Sequence, residues 1–438
     1  MNFPSSVWSQ YGFTLNLYST DPIGMSEEDR ALLVGRDREL KQIAKQLSSG
    51  ASVVALEGDF GVGKTSLAAA AAYDATKWRD DGGPMFIAAR TRLSLRPDDT
   101  LESFERRTIR AVASALVGAA DLLRAEGRAL NGVDAVKRWL SEPETVAKSG
   151  EVNATFLGTG GGGGGSIARS PNPTTGFAES GIVEIVDGWL SESFPDRKSG
   201  GVVCFLDNLE ELRDSTTALA VMEPLRDALF KRAGLRWIIS GAQGMVRAAY
   251  SSPKMTGVFL NPIDVAPLAD EKAPQVIAAR IAALRDSDDA VVPVSEAAFA
   301  HLYASIGKNL RYALNLAERY SIDQEPDELR RLDNAQREER FEEAILKEAD
   351  AIYAAYAANL TKADWNVFDK LLRDKSGSCS PSEYKDFGYA AMPPLLVRVG
   401  KLESAHLVSY TKDDADQRRR TISVTDHGRL AYYRHVNS

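Results

Sequence analysis

The sequence has little of the residue types that build metal centres. Its 438 residues include two cysteines, Cys204 and Cys379, and four histidines. The cysteines lie far apart and neither has a CxxC partner, which disfavours a structural zinc site. Cys204 sits in an apolar run, which predicts a small core residue. A chain of this length can bury a full core without covalent crosslinks.

Two further absences concern membranes and net charge. Residues 1–17 have neither a basic region nor an apolar core like those of a signal peptide, and no apolar run reaches about 18 residues. The sequence therefore predicts a cytoplasmic protein without membrane association. The net charge is −8, so the chain as a whole is not a basic nucleic-acid coat. Any DNA-binding face has to be local.

What the sequence does contain is an alternation of short apolar runs and helical patterns, which predicts an α/β fold with a parallel sheet. Predicted strands cover residues 52–57, 85–90, 202–206 and 235–240, and predicted helices cover 39–47, 65–73 and 101–123. Residues 1–30 are polar and aromatic, and we expect an arm rather than a core element. From about residue 268 to 345 the pattern is helical and charged, and it resets near residue 360.

One segment interrupts this pattern. Residues 127–180 contain six consecutive glycines, at positions 160–165, in a sequence rich in Ser, Thr, Asn and Pro. This composition predicts a flexible surface excursion. A loop that becomes ordered on a protein partner is the alternative. The glycines lack the flanking strand and helix of a phosphate-binding turn, so we do not interpret them as one.

A phosphate-binding loop is predicted at residues 58–65, called the phosphate loop below. The sequence GDFGVGKT fits GxxxxGK[ST] in full and lies between a predicted strand and a predicted helix. Glycines allow backbone N–H groups to curl around phosphate, and the helix N-terminus favours an anion. Lys64 supplies positive charge, and the Thr65 hydroxyl is a Mg²⁺ ligand. The predicted nucleotide-binding residues here are Gly58, Gly61, Gly63, Lys64, Thr65 and Ser66, and the predicted ligands are ATP or ADP with Mg²⁺.

An acid at the end of a neighbouring strand would complete such a metal site. The run VVCFLD ends at Asp207, which we predict as the second protein group near Mg²⁺. On its own, an apolar run that ends in Asp also fits a strand followed by a turn. The phosphate loop is what favours the metal-binding interpretation.

These motifs resemble those of the AAA+ ATPases, especially their Orc/Cdc-type initiator group, and of the related STAND switch ATPases. Residues 33–40 read LVGRDREL, similar to the VGR-x-x-E-L element that packs around adenine in the family. The resemblance therefore implies adenine contacts for Val34 and Gly35. It covers roughly residues 30–325.

Two further positions acquire roles from the same resemblance. Ser240 falls where the sensor 1 strand of the family ends, which makes it a γ-phosphate sensor candidate. Residues 307–316 read GKNLRYALNL, similar to the sensor 2 helix of the AAA+ lid. The Arg of that helix reaches the γ-phosphate in the family, and here it is Arg311. A solvated helix charge is the alternative for Arg311.

The sequence departs from the family directly after Asp207. Active AAA+ enzymes usually carry Glu there, whereas this chain has Asn208, which can orient water but cannot accept its proton. Glu210 or Glu211 are the substitutes nearby, and Glu210 is the predicted catalytic acid. We therefore expect slow hydrolysis, which suits a switch. Arg232 and Arg247 are the arginine-finger candidates, and each also fits an ordinary surface charge.

The C-terminal residues 361–438 resemble a winged helix-turn-helix of the MarR type. Helices are predicted at 365–372 and 394–405, with a short helix opening at 380–383, and wing strands at 407–410 and 420–424. The spacing D-x-R … T-x-x-G, from Asp416 to Gly428, is similar to the wing of that family. The resemblance implies an Arg in the DNA minor groove, where the negative potential is enhanced.

The charge of this unit only weakly favours DNA. Residues 361–438 contain 13 Lys and Arg against 10 Asp and Glu, a net charge of +3, and Pro393 and Pro394 begin the helix that would read bases. A winged helix used for protein contacts is the alternative. The predicted DNA-binding residues are Arg398, Lys401, Arg418, Arg419 and Arg420.

Together these features predict an N-terminal arm (1–30), a phosphate-loop ATPase core (31–266, with an insertion within 127–200), a helical lid and connector (267–359) and a winged helix (360–438). The leading hypothesis is an ATP-switched protein that binds double-stranded DNA and forms a homo-oligomer on ATP binding. The second is a STAND-type signalling or defence switch, in which the winged helix acts as an internal clamp or contacts a protein. A small-molecule kinase fits the lid and C-terminal unit poorly.

Overall fold

A computed structural model of the chain describes residues 6–96, 98–128, 130–141, 181–209, 215–242, 245–375, 377–412 and 420–437. The predictions for glycines 160–165 and for Glu210, Glu211, Arg418 and Arg419 lie outside the described residues. The helices that precede or surround the sheet are α1 (Val7–Gln10), α2 (Glu27–Ala31), α3 (Asp37–Ser48), α4 (Lys64–Lys77), α5 (Leu101–Gly118), α6 (Ala120–Ala125), α7 (Val133–Ser141), α8 (Ile182–Ser193), α9 (Ser215–Leu225) and α10 (Met245–Ser251).

The centre of the molecule is a parallel five-stranded sheet in the order β2-β3-β4-β1-β5. Its strands are β1 (Val53–Glu57), β2 (Met85–Ser94), β3 (Gly200–Asp207), β4 (Leu235–Gly241) and β5 (Ile263–Asp264). Every residue of β1, β3 and β4 is buried, which is why these strands read as continuous apolar runs. The predicted α/β fold is confirmed. The two-residue β5 escaped prediction because it is too short to show a pattern.

Alternate residues of each strand face opposite layers of helices. Val54 and Leu56 of β1 pack with α3 and α4, whereas Val53 and Ala55 pack in a second core with α5, α8 and α9. The single helix predicted at 101–123 ends at Gly118 and restarts at Ala120. The carboxyl ends of the strands, where the phosphate loop begins, remain uncovered by these layers.

The prediction of a surface excursion over residues 127–180 is wrong for 133–141. This stretch forms α7, and its Val136 and Trp139 are buried in the core beside Trp189 of α8. Burial of such large side chains contributes roughly 1.5–3 kcal/mol each. Val133, Val136, Trp139 and Leu140 do recur at helical spacing, but the pattern covers only 9 residues next to a glycine-rich sequence.

The helices that follow the sheet form a further core, separate from the two cores on the faces of the sheet. The lid helices are α11 (Ala273–Leu284), α12 (Glu296–Ser305), α13 (Leu310–Ile322), α14 (Pro326–Arg330) and α15 (Asn334–Ile352). The expectation that residues 1–30 form an arm outside the core is wrong for residues 8–18. Tyr11 and Tyr18 are fully buried among the lid helices and donate hydrogen bonds to the carbonyls of Ser321 (2.9 Å) and Val294 (2.7 Å).

The C-terminal unit, residues 360–437, is built of helices and a small antiparallel sheet. It contains α16 (Lys362–Arg373), β6 (Ser378–Cys379), α17 (Met392–Ser404), β7 (Val408–Lys412), β8 (Arg420–Val424) and α18 (Asp426–Val436). Its antiparallel sheet has the order β6-β8-β7. The short helix predicted from residue 380 is only a 3₁₀ turn, Pro381–Glu383. Leu430 and Tyr433 of α18 are buried in the core of the lid helices, so the unit is docked on them.

Candidate functional site

The phosphate loop joins the end of β1 to the start of α4 in a conformation that needs glycine. Gly61 and Gly63 have φ values of +78° and +94°, a region that residues with a Cβ atom rarely adopt. A Cβ atom on Gly58 would lie 2.5 Å from the carbonyl oxygen of Val265. Since α4 begins at Lys64, its first N–H groups open onto this loop and make an anion-binding terminus.

Lys64 is folded back over the loop. It is 6% exposed, and its Nζ donates to the carbonyl oxygens of Gly58 (2.9 Å) and Asp59 (3.0 Å). The ammonium group therefore lies at the centre of the curled backbone. A positive charge held there by carbonyl oxygens is positioned for a phosphate group.

Thr65, Asp207 and Ser240 meet at the carboxyl ends of the strands. The Thr65 hydroxyl donates to Asp207 Oδ2 at 2.8 Å, and the Ser240 hydroxyl donates to Asp207 Oδ1. Asp207 ends β3 and is 1% exposed, and Ser240 on β4 is fully buried. Three predicted site residues from distant parts of the chain are thus in direct contact. Parallel strands explain this, because their carboxyl ends share one edge of the sheet.

These residues fit a Mg²⁺ ion of the kind that keeps most of its water and phosphate ligands. Such an ion needs only one or two protein oxygens, and the Thr65 hydroxyl and Asp207 carboxylate supply them. Among the described residues there is no cluster of three or more His, Cys, Asp or Glu that could hold a metal alone. The donor set therefore suits a metal that arrives with a phosphate ligand.

A cleft surrounds the phosphate loop, with an empty volume of about 630 Å³ including the solvent at its open side. One wall is α13, with Arg311 and two leucines, and another is the N-terminal segment at residues 19–22. The lining residues are Ser19, Thr20, Asp21, Pro22, Phe60, Gly61, Gly63, Lys64, Thr65, Ser66, Asn208, Arg280, Leu310, Arg311 and Leu314.

The two predicted adenine contacts stand apart from this cleft. Val34 packs against the core of the lid helices, and Gly35 (φ +70°) lies against Leu268 and Lys272. Neither is among the described residues that line the cleft. The neighbouring Arg36 is 4% exposed and donates to the carbonyl oxygen of Val62 in the phosphate loop at 2.6 Å.

Asp59, the second residue of the phosphate loop, is an acid in an anion site. Burial raises its pKa to about 6, and the charges of Lys64 and Arg429 oppose that rise. The sequence did not predict a buried acid here, because the motif allows any residue at this position. Its carboxylate is therefore the group near the loop whose charge changes at mildly acidic pH.

Asn208 and the two arginine-finger candidates, Arg232 and Arg247, lie in different surroundings. Asn208 lines the cleft with a left-handed backbone (φ +58°). Arg232 is ion-paired with Glu105 (2.7 Å) and Asp187 (2.8 Å). Arg247 pairs with the buried Glu57 (3.0 Å), so both arginine-finger candidates have acid partners within the chain.

Comparisons with known proteins yield only distant similarities. No protein-family model matches the chain, and no curated protein matches it. The solved structures that are similar include a Walker-type ATPase of Pyrococcus abyssi (13% identity, TM-score 0.42, 95% of this chain and 99% of that one), the Aeropyrum pernix ORC1 protein in complex with DNA (13%, 0.40, 97% and 97%) and Cdc6p of Pyrobaculum aerophilum (12%, 0.37, 97% and 99%). The last two carry the names of the initiator group that the motifs resemble.

The predicted DNA-binding residues that the structure describes are Arg398, Lys401 and Arg420. Arg398 donates to Asp364 Oδ1 at 3.0 Å, and Asp364 is fully buried. Burial raises the pKa of Asp364, but hydrogen bonds from Thr361 and Arg398 lower it by more. Arg420 donates to the Tyr410 hydroxyl at 2.9 Å. Lys401 is exposed, so it is the one of these three side chains that faces solvent freely.

Two parts of the cleft were missed in the sequence, Arg280 and residues 19–22. Arg280 is the only charged residue in the α11 sequence APQVIAARIAAL, and that isolation is the one available signal. Its contact with the N-terminal segment spans more than 260 positions and leaves no local pattern.

For membranes, the described residues contain no helix of sufficient length and apolar character to span a bilayer.

Proposed function

We propose that this protein is a switch that binds ATP and ADP with Mg²⁺ in the cleft at the phosphate loop. The observation that carries this proposal is the 2.8 Å contact between Thr65 and Asp207 beside Lys64. Lys64 binds phosphate, and Thr65 and Asp207 hold the ion. When bound, Mg²⁺ would neutralise phosphate charge and orient the nucleotide. Arg311 and Ser240 are the proposed sensors of the γ-phosphate, from the lid side and the sheet side.

Hydrolysis by this site is expected to be slow. The residue after Asp207 is Asn208, which lines the cleft and can orient a water molecule but cannot take its proton. Slow turnover leaves the protein in its ATP state long enough for that state to be recognised by a partner. The site is therefore better suited to a switch than to a rapid ATPase.

A contact path between the phosphate loop and the lid helices supports coupling. The Asn309 side chain donates to the carbonyl oxygen of Phe60 at 3.2 Å, and the Arg311 N–H donates to that of Gly61 at 3.3 Å. These residues begin α13, which also lines the cleft. A change in the phosphate loop on nucleotide exchange would therefore act directly on the start of α13 through these hydrogen bonds.

The same turn is held from the other side by the C-terminal unit. Arg429 of α18 is 6% exposed and donates to the carbonyl oxygens of Ile306 (2.8 Å) and Gly307 (3.1 Å). A Cβ atom on Gly307 would lie 2.2 Å from Leu372 of α16. Residues 306–311 are thus packed between the phosphate loop and the proposed winged helix. We propose this turn as the route by which nucleotide state changes the position of the winged helix.

Double-stranded DNA is the proposed partner of the winged helix. The exposed Lys401 and the arginines at 418–420 are its candidate contacts, with phosphate and minor-groove binding rather than base reading.

ATP turnover should be measured with and without duplex DNA at low salt, for the native chain, Lys64→Ala and the triple variant Arg418→Ala/Arg419→Ala/Arg420→Ala. We expect DNA to change the rate, the triple variant to lose that response, and Lys64→Ala to have no turnover. Absence of DNA binding in ATP at low salt would contradict the proposal.

The second candidate is a STAND-type switch in which the winged helix is an internal clamp or a protein-binding face. Two observations favour it: Arg398 is already paired with Asp364, and the outward face of α17 exposes Met392 (40%) and Val397 (61%). In this case ADP should remain bound through purification, and ATP should convert monomers into oligomers. A native mass spectrum of the purified protein distinguishes the two candidates by the ADP it contains, because both are expected to form oligomers with ATP but the DNA-binding switch requires no retained ADP.

A further inference from the structure

An arginine from the lid helices lies in the wall of the cleft without belonging to any recognised motif. Arg280 of α11 is 9% exposed and lines the same cleft as Lys64 and Thr65. The remaining residues of α11 are uncharged. A buried charge in an apolar helix is retained in a stable fold only where a counter-charge or hydrogen bonds compensate it.

The protein groups around Arg280 compensate only part of its charge. Its Nη1 donates to the carbonyl oxygens of Leu17 (3.1 Å) and Ser19 (2.9 Å). Within the part of the chain that is described, Arg280 makes no ion pair with an Asp or Glu. Glu318 contributes to its electrostatic surroundings but accepts a hydrogen bond from Asn16 at 2.7 Å instead. Carbonyl oxygens carry partial charges, so an anion in the cleft would complete the site.

The N-terminal segment that Arg280 holds is itself part of the cleft. Residues 19–22 line it, and the Ile23 N–H donates to the Ser66 hydroxyl at 3.3 Å, one residue beyond the phosphate loop. Arg280 is therefore fixed between this segment and the space next to Lys64. Its guanidinium carries N–H groups on three nitrogens, of which only Nη1 is engaged by the two carbonyl oxygens.

We propose that Arg280 binds a phosphate group of the nucleotide through these other N–H groups, and so ties occupancy of the cleft to the N-terminal segment. This inference rests on the proposed nucleotide binding and adds a phosphate-binding residue to it. It differs from the roles proposed for Lys64 and Arg311, because Arg280 also holds residues 17–19 in place.

Calorimetric titration of Mg·ADP into the native chain, Arg280→Met and Arg280→Lys tests the inference. We expect the affinity of Arg280→Met to fall about 10- to 100-fold, the range for loss of a hydrogen bond to a charged group. Arg280→Lys should recover a measurable part, since it keeps the charge. The matched control is Arg285→Met, an exposed arginine that follows the end of α11 and lies outside the cleft, with an unchanged affinity.

Two outcomes overturn the inference while leaving nucleotide binding intact. In the first, the native chain binds Mg·ADP and the affinity of Arg280→Met is within about threefold of the native affinity. The second is an Arg280→Lys variant no better than Arg280→Met, which would mean that charge is not what Arg280 supplies. A native chain that does not bind Mg·ADP overturns the proposed function itself. If Arg280→Met does not fold, Arg280→Gln, which also removes the charge, takes its place in the same comparison, with the same two outcomes overturning the inference.

Discussion

The cationic side chains of the cleft and those of the C-terminal unit differ in the groups that they contact. In the cleft, Lys64 and Arg280 donate to backbone carbonyls: Gly58 and Asp59 for Lys64, Leu17 and Ser19 for Arg280. In the C-terminal unit four cations sit beside carboxylates of the same chain, whereas Arg429 also donates to backbone carbonyls. These pairs are Arg398 with Asp364, Arg373 with Asp369, Lys375 with Glu383 and Asp386, and Arg434 with Asp350.

This difference indicates which region is prepared for an anion. The two carbonyl oxygens on Arg280 orient its guanidinium group without cancelling its charge, so a phosphate group in the cleft would gain that interaction. A cation already paired with a carboxylate must lose that partner before it binds DNA phosphate, and the exchange has little net gain. The structure therefore favours the proposed nucleotide binding over the proposed DNA binding, for which Lys401 and residues 418–420 are the candidate contacts. The following expectations are ordered by the size of their effect.

The largest effect is expected from Arg429→Met, which removes the contact between the C-terminal unit and the turn at residues 306–307. The buried carbonyl oxygens of Ile306 and Gly307 would lose their donor, at a cost of about 2–3 kcal/mol. Urea unfolding measures this loss. Arg434→Met on the same helix is the control, because its pair with Asp350 is partly exposed and should contribute less than about 1 kcal/mol. Equal effects of the two variants would contradict the proposed route.

An intermediate effect is expected from Asp364→Asn, which releases Arg398 while keeping an oxygen for the helix cap at Thr361. If DNA is the partner, duplex affinity at low salt should rise roughly threefold. The salt dependence should steepen by about one phosphate contact. Fluorescence anisotropy with labelled duplex over a salt series measures both quantities. An unchanged or lower affinity would favour the protein-contact alternative.

A smaller effect is expected from Asp59→Asn. Burial raises the pKa of the folded carboxyl group to about 6, above its unfolded value near 4, so the folded state binds the proton more tightly. Stability from this group is therefore present below about pH 4 and is lost as pH rises to about 6. Asp59→Asn should remove that slope, stabilise the protein by ~1 kcal/mol at pH 7 and tighten Mg·ADP binding roughly twofold. Urea unfolding at pH 4.5 and 7 tests this, and a slope that persists in the variant rules out Asp59 as its source.

The sequence predicted those features that depend on neighbouring residues. The spacing in the phosphate loop and the continuous apolar runs of β1, β3 and β4 are both local. The meeting of Thr65 with Asp207 followed from the geometry of parallel strands, although 142 positions separate them.

The remaining features depend on contacts that no local pattern encodes. Tyr11 and Tyr18 look like exposed aromatics in a polar segment, and their burial follows only from a groove between helices that begin some 260 residues later. Arg398 reads as a DNA contact by its place on α17, yet Asp364 on α16 neutralises it. A long-range ion pair of this kind changes the role that the sequence predicts for a charged residue. The same side chain can bind a ligand when it has no acidic partner, or form a structural ion pair when it has one.

The most direct test of the central claim is calorimetric titration of Mg·ATP and Mg·ADP into the native chain, Lys64→Ala and Lys77→Ala. Lys77 lies at the exposed end of the same helix, so it controls for loss of charge on α4. We expect binding by the native chain and Lys77→Ala, with a loss of about 100-fold or more in Lys64→Ala. No binding by the native chain, or equal binding by all three proteins, would contradict the account.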